Sequence, residues 1–158
     1  FGTGRHESTQ LCLRWLSAHS VDGQVVVDYG CGSGVLSLAA VALGARKVYA
    51  LDHVTSAIEA TRSNAVLNGF ELDRVLVPSM SEVTPADQAS VVLANMLAGA
   101  LCTLVKRFHL LLLPAGTLVL SGFQEADVHK IRQHFSPLFN ETELRYQGEW
   151  GRMVLQKK

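Results

Sequence analysis

The sequence predicts an α/β fold in which a doubly wound, mostly parallel sheet carries helices on both faces. Apolar runs of strand length alternate with longer amphipathic segments, which is the pattern of such folds. With 158 residues, 48% of them hydrophobic, the chain can bury one substantial core, so we expect one domain. Three apolar runs are rich in β-branched residues and suit strands buried on both faces: QVVVDY at 24–29, KVYALD at 47–52 and SVVLAN at 90–95.

The first half of the chain predicts helices and strands in alternation. A helix is predicted over 8–19, and the Asp22-Gly23 turn then leads into the first strand. The segment at 56–69 predicts another helix, because Ser56 and Glu59 have capping-box spacing and Gly69 lies where a left-handed C-terminal residue belongs. A shorter strand is expected near 74–78.

The second half continues the alternation and ends differently. LAGALCTLVKRFHLLL at 97–112 predicts one helix ended by Pro114. GTLVLSG at 116–122 predicts a strand, and EADVHKIRQHF at 125–135 predicts a helix. The last two strands, Glu143–Tyr146 and Arg152–Gln156 joined by QGEWG, would form an antiparallel hairpin at one side of the sheet.

Composition argues against several classes of protein. The 14 basic and 14 acidic residues cancel, so bulk charge gives no reason to expect nucleic acid or an anionic membrane as a partner. Cys12, Cys31 and Cys102 are odd in number and lack C-x-x-C spacing, which fits reduced thiols in a cytoplasmic protein. No signal peptide or membrane span is visible, and no pattern of ligands predicts a metal site.

A glycine-rich loop follows the first strand. Gly30, Gly32 and Gly34 form G-x-G-x-G before a helical segment, where missing side chains let backbone N–H groups approach a ligand. The alternative is a tight turn that needs glycine only for positive φ. Val35 stands where the nicotinamide fingerprint requires its third glycine, so a pyrophosphate-binding loop is not predicted.

Asp52 ends the next strand, 22 positions beyond Gly30, where an acid can accept hydrogen bonds from both ribose hydroxyls. Its alternative role is to cap the following helix. A nucleoside without pyrophosphate is therefore the better ligand, and S-adenosylmethionine is the commonest of that description. Asp28, just before the loop, could orient the loop or meet the methionine ammonium of that ligand.

Five blocks of the chain resemble one family in the order in which the family carries them: FGTGRHESTQLCLRWL, VVVDYGCGSGVLSLAA, LANMLAGAL, LVLSGF and GEW. The family is PrmA, the ribosomal protein L11 methyltransferases. The resemblance implies a seven-stranded class I methyltransferase domain that binds S-adenosylmethionine. It also implies methylation of lysine side chains, an N-terminal amine or both on a large-subunit ribosomal protein. The alternatives are a related methyltransferase with another protein, RNA or small-molecule substrate, and a non-catalytic nucleotide-binding module.

The resemblance also implies which residues contact the cofactor: Thr9 in the lead-in block, Gly30, Asp52 and Asn95. On the residues alone, Thr9 could merely cap the first helix and Asn95 could merely tie down a turn. Methyl transfer to an amine needs alignment more than acid–base groups. A side-chain or backbone carbonyl near Asn95 could orient the incoming amine, so Asn95 is also the candidate catalytic residue.

Other residues in the matched blocks leave open questions. Trp150 could line the amine channel or close the core, and His6 could touch a ligand or have no function. The sequence departs from the family at Arg5, His53 and Met96. Family members also carry an N-terminal substrate-recruiting domain, so residues 1–158 are expected to be the catalytic domain of a longer protein.

Overall fold

The computed structural model describes residues 4–78 and 88–158. Helices and strands alternate from residue 7 to residue 76, and two long strands end the chain. The helices are α1 (Glu7–Ala18), α2 (Val35–Ala42), α3 (Thr55–Leu67), α4 (Ala98–Thr103), α5 (Val105–Leu111) and α6 (Val128–Phe135). The strands are β1 (Val25–Tyr29), β2 (Lys47–Leu51), β3 (Val75–Leu76), β4 (Ala89–Asn95), β5 (Leu112–Gln124), β6 (Phe139–Gln147) and β7 (Trp150–Lys157).

The strands form one seven-stranded sheet in the order β3-β2-β1-β4-β5-β7-β6. Strands β1 to β5 pair in parallel, whereas β7 runs antiparallel to β5 and β6 antiparallel to β7. This confirms the predicted doubly wound sheet and its C-terminal hairpin. The strand order reverses between β1 and β4, and ligands of such sheets bind in the crevice at the carboxyl ends of the strands beside that reversal.

Two hydrophobic clusters cover the two faces of the sheet. One contains side chains of α1 and α2, and the other contains side chains of α4, α5 and α6. Successive residues of β1 belong to different clusters: Val26 lies in the first and Val27 in the second, and both are fully buried. Side chains alternate along a strand, so a strand covered on both faces must be apolar at nearly every position.

The predicted capping box of α3 is wrong. The helix begins at Thr55, and the side chain of its N-cap residue, Val54, makes no capping hydrogen bond. The Val54 N–H donates instead to Asp52 Oδ1 at 3.0 Å, so an acid three residues ahead of the helix satisfies this donor. The other end is as predicted, because Gly69 has φ +74°.

The single helix predicted over 97–112 is also wrong. The chain forms α4 and α5 with a break at Leu104, and β5 begins before Pro114. Buried residues keep helical spacing across the break, which is why periodicity did not reveal it: Ala98, Leu101, Val105 and Phe108. Pro114 is tolerated because the pairing of β4 with β5 skips from Leu112 to Thr117, leaving this stretch outside the regular ladder.

Smaller differences concern element lengths. The helix predicted over 125–135 starts as a 3₁₀ turn at Glu125–Asp127, and both strands of the hairpin are longer than expected. The strand expected near 74–78 is only two residues long. Within the described ranges, no helix combines the length and the apolar character needed to cross a membrane.

Candidate functional site

The predicted site residues meet at the carboxyl edge of the sheet. The glycine loop follows β1, Asp52 follows β2, and Asn95 is the last residue of β4. Strand β1 pairs with β2 on one side and with β4 on the other, so these three strand ends lie side by side at the point where the strand order reverses. The arrangement is the crevice in which sheets of this class bind ligands.

All three loop glycines have left-handed backbones, with φ of +80° at Gly30, +56° at Gly32 and +81° at Gly34. The turn therefore requires glycine at all three positions, because residues with a β-carbon rarely adopt this conformation, and this requirement is compatible with ligand binding by the same loop. Space is limiting as well: a β-carbon on Gly34 would lie 2.7 Å from Thr61 Cγ2. The loop is tethered to the next strand by the Gly30 N–H, which donates to Leu51 O at 2.7 Å.

Helix α3 holds this loop from outside, a role that the sequence did not suggest. Thr61 Oγ1 donates to Gly32 O at 3.1 Å, and Asn64 Nδ2 donates to Ser33 O at 2.9 Å. The only signal in the sequence was that polar residues replace apolar ones on the buried side of this helix. Thr61 is fully buried, and the two bonds leave the loop little freedom to move.

Asp52 braces the loop against the start of α3. Its Oδ2 accepts from Gly32 N and its Oδ1 from Val54 N, both at 3.0 Å. The capping alternative is wrong as stated, because the N-cap residue of α3 is Val54; Asp52 binds the backbone N–H of that residue and also that of Gly32 in the glycine loop. The side chain is 9% exposed, and each carboxylate oxygen keeps a further lone pair. Such a carboxylate fits a ligand that donates two hydroxyl groups.

Asp28 is buried beneath the loop, with 1% of its surface exposed. Its Oδ2 accepts from the Ser37 backbone N–H at 3.0 Å and from the Ser37 hydroxyl at 2.6 Å. Burial raises the pKa of Asp28 from 3.8 to about 6, although the bonds from Ser37 oppose that shift. Of the two roles left open, these contacts support orientation, because they anchor the first turn of α2 behind the loop.

Cys31, inside the loop, is a buried thiol rather than a nucleophile. Burial, together with the charge of Asp28, raises its pKa to about 12, so the thiolate is scarce at neutral pH. Its Sγ lies 3.4 Å from Thr61 Oγ1. The three cysteines of the chain are free.

Thr9 and Asn95 are brought together although 86 positions separate them. Asn95 Nδ2 donates to Thr9 Oγ1 at 3.1 Å. Thr9 does not cap α1, because the N-cap is His6, whose Nδ1 accepts from Ser8 N at 3.3 Å. Asn95 Oδ1 is buried, and none of the described residues donates a hydrogen bond to it. The pair thus presents one amide oxygen whose hydrogen-bonding capacity is unused.

The C-terminal hairpin holds the start of α1 beside this pair. The rings of His6 and Trp150 meet edge to face with centroids 4.7 Å apart. Gln147 Nε2 donates to Gln10 Oε1 at 2.8 Å. Phe1, Gly2 and Thr3, which open the first matched block, lie outside the described residues, and Arg5 is exposed.

A large cavity lies away from these residues. It has a volume of about 520 Å³ and is lined by residues such as Trp15, His19 and Gln24. Those of its lining residues that belong to β4 and β5 stand at the amino ends of the strands. The cavity is therefore at the opposite end of the sheet from the glycine loop, and no predicted site residue lines it.

Comparison with known sequences gives a consistent set of relatives. A family model described as ribosomal protein L11 methyltransferase (PrmA) matches residues 1–158. The ribosomal protein L11 methyltransferase of Acinetobacter baumannii (strain AYE) is 43% identical over 162 residues, which cover 100% of this chain and 54% of that protein. The Pseudomonas putida (strain GB-1) protein of the same name is 40% identical, over 97% of this chain and 52% of its own length. The chain spans about half the length of these relatives.

Solved structures agree with the sequence matches. The ribosomal protein L11 methylase of Lactobacillus delbrueckii subsp. bulgaricus has a TM-score of 0.88 at 29% identity, covering 98% of this chain and 81% of that one. A Burkholderia thailandensis methyltransferase with bound 1,6-didemethyltoxoflavin and S-adenosylhomocysteine has a TM-score of 0.72 at 20% identity, covering 94% and 77%. The second likeness shows that the fold is shared.

Proposed function

The chain belongs to the ribosomal protein L11 methyltransferase (PrmA) family, and from this premise we propose that it transfers methyl groups from S-adenosylmethionine to amino groups of ribosomal protein L11. The acceptors are lysine side chains, an N-terminal amine or both. One observation carries the proposal: the glycine loop braced by Asp52 lies at the same strand reversal as the Thr9–Asn95 pair. A nucleoside site and an amine-orienting group thus share one edge of the sheet.

The glycine loop and Asp52 suit S-adenosylmethionine. Gly32 leaves the backbone open to close approach, since no described atom apart from its chain neighbours lies within 4 Å of a β-carbon built there, and the carboxylate keeps lone pairs for two ribose hydroxyls. When bound, this cofactor supplies a methyl group on a positively charged sulfur. Asp28 acts from below the loop, where it keeps α2 and hence the loop in position. We assign Thr9, Gly30, Gly32, Gly34 and Asp52 to cofactor binding.

Asn95 is proposed to orient the acceptor amine and to contact the cofactor. An amine attacks through its lone pair, so the protein must hold a neutral amine in line with the methyl carbon. At a free pKa near 10.4, deprotonating a lysine at pH 7 costs about 4 to 5 kcal/mol, and desolvation in a closed site lowers that cost. The unpaired Oδ1 of Asn95 is suited to accept an N–H of such an amine.

Two measurements test the proposal. Calorimetry should show that the chain binds S-adenosylmethionine and discriminates strongly against NAD, because Val35 removes the third glycine of the nicotinamide fingerprint. Mass spectrometry of ribosomal protein L11 after incubation with enzyme and cofactor should show added methyl groups, and digestion would identify the amino groups. Preferred binding of NAD, or methylation of other substrates only, would contradict the proposal.

The curated relatives are about twice as long as this chain, and we propose that residues 1–158 form the catalytic domain of a longer enzyme. Docking of ribosomal protein L11 would then rest largely on residues outside this range. Binding energy from a remote domain helps to position a reacting group. Residues 1–158 should therefore bind cofactor yet methylate L11 more slowly than the whole protein at low substrate concentration. Equal rates would show that recruitment resides in residues 1–158.

A further inference from the structure

Strand β5 carries a bulge next to the proposed amine site. Its pairing with β7 shifts register between Ser121 and Phe123, and the residue between them, Gly122, has φ +86°. On the other side of β5, Asn95 pairs with Ser121, and the Met96 N–H donates to Ser121 O at 3.0 Å. The bulge thus lies beside Asn95, the last residue of β4. Bulges often occur beside active sites, where they redirect a neighbouring side chain.

Gly122 leaves no room for a side chain. A β-carbon built on it would lie 2.7 Å from Met96 O and 2.9 Å from Asn95 Oδ1, and real β-carbons essentially never approach an atom closer than 3.0 Å. One of these neighbours is a backbone carbonyl, which cannot swing aside as the end of a flexible side chain can. The segment Asn95–Met96 therefore packs directly on the backbone of the bulge.

This packing fixes the amide of Asn95 from two sides. Its Nδ2 donates to Thr9 Oγ1, and its Oδ1 lies 2.9 Å from the point that a β-carbon of residue 122 would occupy. The same oxygen is buried without a donor among the described residues. A buried carbonyl oxygen without a partner is unfavourable, and in native proteins such groups call for an explanation. Orientation for a ligand that supplies the missing donor would explain this one.

We infer that Gly122 is a positioning residue for the proposed methyl transfer: lacking a side chain, it lets the β5 bulge close on Asn95 and hold the amide oxygen in the orientation that the amine requires. The inference rests on the proposed function of Asn95. Gly122 is not proposed to contact substrate or cofactor, and it acts through Asn95. The sequence placed this glycine in the LVLSGF block but suggested no role for it.

The test compares Gly122→Ala with Gly69→Ala. Both positions have left-handed backbones, at +86° and +74°, so both substitutions carry the same kind of backbone strain. They differ in surroundings, because apart from chain neighbours no described atom lies within 4 Å of a β-carbon at Gly69. We expect the single-turnover rate at saturating cofactor to fall at least tenfold in Gly122→Ala and to stay within twofold in Gly69→Ala. The Asn95 side-chain amide signal in NMR should shift only in the former.

A double variant separates positioning from folding. In an Asn95→Ala background, Gly122→Ala should cause no further loss of rate, and its effect on the melting temperature should shrink because the close contact with Asn95 Oδ1 is gone, whereas those with the Met96 carbonyl group remain. If Gly122→Ala does not fold, restored folding of the double variant would support the inference, and failure of both would overturn it. A rate for Gly122→Ala within twofold of Gly69→Ala would also overturn it. If the native chain methylates nothing, the proposed function fails, and the NMR shift and the thermal coupling then decide whether Gly122 positions the Asn95 amide.

Discussion

Replacing Asp52 by alanine should weaken cofactor binding by about one to two orders of magnitude. The carboxylate is already held in place by Gly32 N and Val54 N, both at 3.0 Å, so it needs no reordering when a ribose arrives. Hydrogen bonds to a charged acceptor are worth about 1.5 to 3 kcal/mol each. A net loss of that size raises the dissociation constant about tenfold to about 150-fold, at 1.4 kcal/mol per factor of ten.

Calorimetry with two ligands isolates the ribose contribution. S-adenosylhomocysteine and its 2′,3′-dideoxy analogue differ only in the hydroxyls that Asp52 is proposed to bind. The native chain should prefer the first ligand strongly, and Asp52→Ala should lose most of that preference. Asp73→Ala is the control for charge, because Asp73 is an exposed acid in the turn that precedes β3. It should leave both dissociation constants unchanged.

The opposite result has a clear meaning. The substitution also deprives Gly32 N and Val54 N of their acceptor, so it can disturb the glycine loop itself. A disturbed loop would weaken both ligands by the same factor. Equal weakening, with the preference for the hydroxylated ligand intact, would refute the ribose assignment and leave Asp52 as a brace for the loop.

Three further predictions concern the surroundings of the loop and the amine. Asn95→Ala should lower the melting temperature by only about 2 to 4 °C. Its single-turnover rate at saturating cofactor should fall about a hundredfold to a thousandfold. Full recovery of that rate at saturating cofactor would show that cofactor contact is the main role of Asn95. Gln147→Leu, at the end of β6, should raise the cofactor dissociation constant about twofold to tenfold in calorimetry, because its bond to Gln10 of α1 is lost. Gln156→Leu, near the end of β7 and bonded to Ala115 instead, should leave that constant unchanged. Unfolding in urea should show that the native chain loses up to about 3 kcal/mol of stability from Asp28 as pH rises from about 4 to about 6, because its folded pKa is about 6 against 3.8. Asp28→Asn should lack that component, and parallel curves for the two proteins would contradict the assignment.

The strands and the glycine loop could be predicted because physics leaves few alternatives there. A strand covered on both faces must be apolar throughout, and Gly30, Gly32 and Gly34 occupy backbone conformations that other residues avoid. Asp52 was predictable from its distance along the chain, since one helical crossover separates the ends of β1 and β2. These features depend on local conformation and on spacing, which a sequence displays directly.

The features that were missed depend on tertiary contacts. Asp52, which the glycine loop holds in place, accepts from Val54, the residue ahead of α3, and the local spacing of Ser56 and Glu59 was misleading. Thr61 and Asn64 hold the glycine loop by donating hydrogen bonds to its backbone carbonyls, which are about 30 positions away in the chain. The Thr9–Asn95 pair could be anticipated only through resemblance to a family, because no local pattern connects residues so far apart.

The acids proposed to support cofactor binding, Asp52 and Asp28, differ from Asn95 in how many of their hydrogen bonds are already made within the protein. Both acids are hydrogen-bonded within the protein, because Asp52 accepts two backbone N–H groups and Asp28 accepts two bonds from Ser37. Such groups gain from a ligand only through their remaining lone pairs. Asn95 Oδ1 is buried and receives no donor from the described residues, so a ligand that reaches it can make a hydrogen bond that the protein leaves unmade. A neutral amine would bring such a donor together with the lone pair that reacts, which is why we propose that Asn95 orients the acceptor amine as well as contacting the cofactor.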